Sequence, residues 1–291
     1  MNVGIMARWQ RAFEYWQQHV TLSKHFINSS LNEDLNTKPT VVILGAGRLI
    51  DIDCRTLIER AKCVHLFDID PSLEPLWQKE LSDLKKTNSL YCHFMDLSNS
   101  MAIWTKKVHL FLKKKPSAHQ FGELLAELKP ESIFLGDFYQ RPVHLVSLNI
   151  LGQLGVFWRD RIFEMCHSKY PGFFKSHGTF VDVIESGLQN SIRELEMQHL
   201  EICLQLAPEK LILITDLYYH FYRQTESEWQ THDALAVGTE KEVLELLAKD
   251  KMYSVSAKQS WLWHIAPQGV EEAEYGEIHE VGAFSLSLQT T

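Results

Sequence analysis

Short apolar runs that each stop at a glycine or a carboxylate, separated by stretches of helical periodicity, restrict how this chain can fold more than any other feature. Residues 41–44 end in Gly45-Ala46-Gly47, residues 64–67 in Asp68, and residues 90–95 in Asp96. Between them lie apolar positions at helical spacing, from about 52 to 61 and at Leu73, Leu76, Trp77, Leu81 and Leu84. So short an apolar run suits a strand buried on both faces. Strand, helix and strand at this spacing imply βαβ units, a parallel sheet and right-handed crossovers. The pattern resumes at residues 143–148. It returns at 211–215, ending at Asp216, after a long amphipathic stretch from Ile184 to Leu206. Residues 259–265 and 278–288 read as a terminal hairpin, whose acidic residues Glu271, Glu272, Glu274, Glu277 and Glu280 are most simply solvated.

Seven strands result, and the expected fold is α/β: a Rossmann-like seven-stranded sheet with helices on both faces. Upstream, Met6, Trp9, Phe13, Trp16 and Val20 form one helical stripe. Residues 1–39 are therefore expected to be a helical extension packed on a domain spanning 40–291. Residues 98–141, with helix candidates and the mixed segment 132–139, fit the alternation poorly and read as an insertion.

Charge and motif content narrow the function. With 37 acidic against 29 basic residues the formal charge is -8, which argues against binding nucleic acid through a basic footprint. Lys106, Lys107 and Lys113-Lys114-Lys115 then read as a solvated helix face. No stretch approaches the roughly 20 apolar residues of a membrane span, and MNVGIMARWQ lacks the basic-then-apolar order of a secretory signal. A soluble cytoplasmic protein is expected. The five cysteines never form CxxC, so reduced thiols are the simplest reading. His93, His199 and His264 sit in apolar surroundings as hydrogen-bonded core histidines, and no metal is expected.

In an open α/β sheet, ligands bind beyond the carboxyl ends of the strands, where strand order reverses. Glycines in the first turn let backbone approach a ligand. Asp68, about twenty residues after the glycine pair, stands where a carboxylate accepts bonds from ribose hydroxyls. Asp96 stands where a polar group meets an adenine amine. Singly, these are an ordinary βα turn and two helix caps; together, at three successive strand ends, they favour an adenosyl cofactor. The dinucleotide fingerprint needs Gly or Ala at position 50 and finds Ile50, which disfavours an NAD-linked oxidoreductase.

VVILGAGRLID, VHLFDID, CHFMDL, VHLVSLNILGQL, LILITD and WLWHIAP together resemble the strand-end series of the class I S-adenosylmethionine-dependent methyltransferase superfamily, over about residues 40–288. The likeness is greatest to bacterial members with a GAGRL loop and a fourth strand ending in SLN. The resemblance implies that Gly45, Ala46 and Gly47 contact the methionine part of the cofactor, with Arg48 a partner for its carboxylate. It places the ribose at Asp68, the adenine face at Ile69, the adenine edge at Asp96 and Leu97, and the sulfonium and acceptor beside Ser147 and Asn149. Leu49 replaces the usual third glycine. Asn149, Gln153 and Asp216 are acceptor-side candidates by position, although capping is the commoner role for Gln153 and Asp216. Tyr139, Tyr218 and Tyr219 suit a pocket wall or the core. The implied activity is methyl transfer to an acceptor, a small molecule being favoured, in a pocket expected to be roofed by the N-terminal helix and residues 98–141. The alternative that Leu49 raises is a non-catalytic binding or scaffold protein of the same fold. Acceptor and oligomeric state are not legible in the sequence.

Overall fold

Alternate residues of each central strand enter opposite apolar layers. In β1 (Thr40–Leu44), Val41 and Ile43 join one cluster while Val42 and Leu44 join the other. The period of two in a strand makes this the signature of a sheet covered on both faces. The structure, a computed structural model, describes residues 2–31, 38–82, 89–131, 143–169, 178–206, 208–223, 229–248 and 252–289.

Two helices, α1 (Asn2–Arg11) and α2 (Phe13–Leu31), precede β1. Then come α3 (Cys54–Arg60), β2 (Cys63–Asp68), α4 (Glu74–Glu80) and β3 (Leu90–Phe94). Next, α5 (Met101–Leu112) and α6 (Ala118–Ala126) lead to β4 (Val143–Leu148), and α7 (Ile150–Lys169) and α8 (Gly178–Gln205) lead to β5 (Lys210–Tyr222). The chain closes with β6 (Gln230–Asp233), α9 (Glu240–Leu247), β7 (Tyr253–Ala266) and β8 (Gly276–Leu288).

The sheet order is β3-β2-β1-β4-β5-β8-β7, with β6 paired to β5 off this path. β1 to β5 are mutually parallel, β8 is antiparallel to β5, and β7 is antiparallel to β8. This is the expected α/β, Rossmann-like sheet with helices on both faces, and β6 adds an eighth strand to the seven read from the sequence. Strand order reverses between β1 and β4, which opens a crevice at their carboxyl ends. Because β7 runs the same way as β5, its last residues reach that same rim.

Two departures from the sequence reading bear on the site. The fifth strand does not stop at Asp216; it continues to Tyr222, held on one edge by β8 and on the other by β6. The four residues of β6 are all exposed, so no apolar alternation announces it. Between β3 and β4, α5 and α6 pack on α7 and α8 through a third apolar cluster centred on Trp104, Phe121 and Trp158. α2 lies against β7: Trp16 meets Trp263 edge-on at 4.8 Å, and His19 stacks on Trp263 at 4.0 Å.

Candidate active site

The glycine turn after β1 is fixed by backbone geometry. Gly45 and Gly47 have φ of +79° and +50°, a region strained for any residue with a side chain. The amides of Gly45 and Ala46 both donate to Phe67 O at 3.0 Å. The Gly47 amide donates to Asp68 Oδ2 at 2.9 Å and the Asp70 amide to Asp68 Oδ1 at 2.9 Å. Trp77 Nε1 donates to Gly47 O at 2.8 Å from below. The ends of β1 and β2 are thus one hydrogen-bonded unit with Asp68 at its centre. Burial pushes the Asp68 carboxyl above its usual range, and the amides of Asp70 and Gly47 offset only part of that rise. Each of its oxygens takes one amide and retains capacity for a ribose hydroxyl.

Leu49 stands in the left-handed region itself, at φ +63°, a conformation costing about 1–2 kcal/mol without glycine. Its side chain packs on the apolar layer beneath the turn and is not part of the cavity wall. The missing third glycine therefore leaves the hollow above the turn open.

At the end of β3, Asp96 acts as a cap. Its Oδ1 accepts from Ser98 N at 2.9 Å and Ser98 Oγ at 2.6 Å, and its Oδ2 from Met101 N at 3.0 Å. Its carboxylate is committed mainly to the start of α5, leaving Leu97 and Met95 to form an apolar slot opposite Ile69. Ile69 is 43% exposed, an uncovered aliphatic face at the mouth of that slot.

These features converge on a cavity of about 800 Å³, within the range of small-molecule sites. One end is walled by Asp68, Ile69, Asp96 and Leu97; the floor is Gly45, Ala46, Gly47 and Arg48; Asn149 and Gln153 rise from the start of α7. The far end is built from Arg8, Arg11 and Trp16 of the N-terminal helices, expected to roof the acceptor side, and from Trp263, Ile265 and Glu271 at the end of β7 and in the loop after it, a segment whose part in the site the residue pattern did not disclose. Glu271, expected to be solvated, keeps only 10% of its side chain exposed because it accepts from Arg11 Nε at 2.9 Å and Arg11 Nη2 at 2.7 Å. Asp51, also on the wall, has Oδ1 at 3.6 Å from Nε2 of the buried His19. Trp261 Nε1 donates to His19 Nδ1 at 3.0 Å, so His19 turns its Nε2–H toward Asp51.

Asn149 joins β4 to α7 with φ +54°, and its amide donates to Ile214 O at 2.8 Å. Its Oδ1 is buried at the cavity wall and accepts no hydrogen bond among the described residues. A buried carbonyl oxygen without a donor is costly unless a ligand or water supplies one.

Two candidates lie elsewhere. Ser147 is fully buried in β4, its Oγ 2.7 Å from His199 Nε2, and burial pushes the His199 pKa down to about 4. It faces the layer behind the sheet because the strand alternates there. Asp216, inside the long β5 and 2% exposed, points to His279, whose Nδ1 is 3.2 Å from Asp216 Oδ2. His279 Nε2 lies 2.9 Å from Glu277 Oε1. Tyr219 packs on His279 with ring centroids 4.5 Å apart, and neither Tyr218 nor Tyr219 reaches the cavity wall. Tyr139 lies outside the described residues. Lys106 borders a shallower depression between α5 and α7.

The His279 cluster predicts a pH dependence of stability. Burial alone would lower the imidazole pKa, but Asp216 and then Glu277 outweigh it and raise it from 6.5 to about 9. Burial raises the Glu196 carboxyl from 4.5 to about 8. Both folded values exceed the unfolded ones, so the folded state binds extra protons and loses stability as pH rises. For His279 the contribution is complete below its unfolded value of 6.5 and gone above about 9. Urea midpoints are expected to fall between pH 6.5 and pH 9, with a shallower fall in His279→Gln. Parallel profiles for the two proteins would remove His279 as the cause.

No family model and no curated protein matches the chain. Among solved structures, it is similar to a candidate RNA methyltransferase of Pyrococcus horikoshii, with 10% identity, TM-score 0.44, and coverage of 93% of this chain and 85% of that one. It is also similar to an S-adenosylmethionine-dependent methyltransferase of Aquifex aeolicus, with 10% identity, TM-score 0.40, and 99% of each chain covered. An rRNA methylase of Streptococcus thermophilus shows 12% identity, TM-score 0.37, and coverage of 91% of this chain and 96% of that one. At such identities and TM-scores these likenesses carry no functional weight, and the fold stands on the sheet order itself.

Proposed function

We propose that this chain binds S-adenosylmethionine and transfers its methyl group to a small acceptor. The observation that carries the reading is the convergence of the glycine turn, Asp68 and the Ile69–Leu97 slot on one cavity at the strand-order reversal. In this reading the adenine lies in the slot, the ribose hydroxyls bond Asp68, and the methionine tail runs over Gly45 to Gly47 toward Arg48. The cofactor, once bound, supplies an activated methyl group. The protein then has to align a nucleophile behind that carbon and exclude water, with S-adenosylhomocysteine as the leaving group. Where the reacting atom has a free lone pair at working pH, proximity and orientation accomplish this without a dedicated base, and the methylated product gives any excess proton to solvent. The roof of α1, Trp16 and Trp263 excludes water. Asn149 Oδ1 orients an N–H or O–H of the acceptor, and Gln153 lies on the same side. Asp216, sealed behind α7 with His279, has no part in the chemistry.

Calorimetric titration with S-adenosylmethionine, S-adenosylhomocysteine and NAD tests the reading. Binding of the first two and not the third is expected; the reverse preference, or no heat with any, would overturn it. Asn149→Gly suits the left-handed backbone at this position, so fold and S-adenosylhomocysteine affinity are expected to survive. Transfer of labelled methyl to extract components is expected to fall about a hundredfold, since positioning terms reach that size. Undiminished transfer by Asn149→Gly would exclude the orienting role.

A further inference from the structure

The charges facing the cavity do not balance one another once their partners are counted. It has five carboxylates: Asp51 stands 3.6 Å from His19 Nε2, Asp68 takes two amides, and Asp70 accepts from Ser72 N at 2.9 Å. Asp96 caps α5, and Glu271 holds Arg11 in a two-bond fork. The guanidinium groups are less well served. Arg11 has Glu271, and Arg8 Nε lies 3.8 Å from the same Glu271 Oε2, an ion pair with that shared carboxylate though beyond hydrogen-bond distance. Arg48 makes no hydrogen bond or ion pair among the described residues. By formal count the wall is negative, five carboxylates against three guanidinium groups, so the positive excess is local and sits at two places: Arg48 on the floor, and the roof, where Arg8 and Arg11 share the single carboxylate of Glu271.

One anion is already accounted for if the proposed cofactor binds, since its methionine tail brings a carboxylate to the floor beside Arg48. That leaves Arg8. It belongs to α1, at the end of the cavity walled by Ile265 and Glu271, away from the Asp68–Leu97 slot. We infer that the methyl acceptor is a small molecule bearing a carboxylate or phosphate, and that this anion docks on Arg8. Guanidinium forms short, charge-assisted bonds to either group, and a second cation beside an already neutralised Glu271 favours an incoming anion. A small acceptor is favoured over RNA because the cavity holds about 800 Å³ and the chain carries a net charge of -8. The inference rests on the methyltransferase reading for the word acceptor, while the anion site itself is testable without it.

The test compares the parent protein with Arg8→Gln and Arg8→Lys, using inorganic phosphate and malonate as probes at constant ionic strength, with and without S-adenosylhomocysteine. One probe is expected to raise the parent melting temperature by about 3 °C at saturation through binding to the folded state. Arg8→Gln is expected to lose most of that shift and Arg8→Lys to recover part of it. A larger response to phosphate assigns a phosphate-bearing acceptor, and a larger response to malonate a carboxylate. Equal shifts in parent and Arg8→Gln, or none in either, overturn the inference. Calorimetry separates the cofactor's own carboxylate. S-Adenosylhomocysteine affinity is expected to be unchanged in Arg8→Gln and about tenfold weaker in Arg48→Gln. A tenfold loss in Arg8→Gln would hand Arg8 to the cofactor and end the inference, leaving cofactor binding intact. Absence of S-adenosylhomocysteine binding in every variant removes the methyltransferase reading instead, with the probe titrations still deciding the anion site. Methyl label appearing in RNA, or in small molecules not retained on an anion exchanger, likewise overturns it.

Discussion

Asp68→Ala is expected to weaken S-adenosylhomocysteine binding by at least about a hundredfold, or roughly 2.7 kcal/mol. Two losses combine. The ribose loses a partly buried, charged acceptor, where a hydrogen bond to an ionised group contributes about 1.5–3 kcal/mol. The amides of Gly47 and Asp70 also lose their partner, so the glycine turn that approaches the cofactor stays tied to β2 only through the Gly45 and Ala46 amides. Asp68→Asn retains one acceptor oxygen but turns an N–H₂ group toward one of those two amides, and an intermediate loss of about tenfold is expected. Calorimetry of the three proteins, with melting temperatures measured alongside, distinguishes lost binding from lost fold. Equal affinity in parent and Asp68→Ala would take the carboxylate out of the site.

Gly45→Ala is expected to destabilise the fold by about 3–4 kcal/mol, near the upper end for a single substitution. A Cβ at Gly45 would lie 2.5 Å from Leu148 O and 2.5 Å from Ile150 Cγ1. The isoleucine can turn away, but the carbonyl belongs to the last residue of β4 and cannot move without disturbing the sheet. Backbone strain at φ +79° adds to this. Gly269 provides the control: its φ is +82°, yet nothing lies within 4 Å of the corresponding Cβ. Gly269→Ala should therefore show the conformational term alone, about 1–2 kcal/mol. Melting temperatures should separate the two by several degrees, since about 1 kcal/mol corresponds to about 2–4 °C in domains approaching this size. Equal shifts would mean that the close approach of β1 and β4 at the turn is absent.

The parts of the site read from the sequence share one property: each is local to a strand end. Gly45 to Gly47, Asp68 and Ile69 follow apolar runs whose direction and burial are fixed by short-range pattern, so their meeting at one rim follows from parallel pairing alone. Asp96 sits at the right place, but its capping bonds to Ser98 and Met101 were equally open to the sequence. Ser147 and Asp216 failed for a different reason. Their burial depends on where a strand ends and which face it presents, and neither the His199 partner of Ser147 nor the continuation of β5 past Asp216 has a local signature. Of the far wall only the roof by the N-terminal helix was legible, because the pairing that builds the rest is tertiary. Arg11 and Glu271 are 260 residues apart, and their pairing exists only because α2 docks on β7. The Trp16 stripe announced that the N-terminal helix needs a surface, without naming which one. By contrast α9 carried a readable signal, a Thr239–Glu242 capping box, though nothing in it bears on the cavity.

A crystal of the protein with S-adenosylhomocysteine tests the central claim most directly. Adenosine is predicted between Ile69 and Leu97, with both ribose hydroxyls within hydrogen-bond distance of Asp68 and the sulfur above Gly47, facing Asn149. An empty cavity at saturating ligand, or adenosine bound with its ribose away from Asp68, would contradict it.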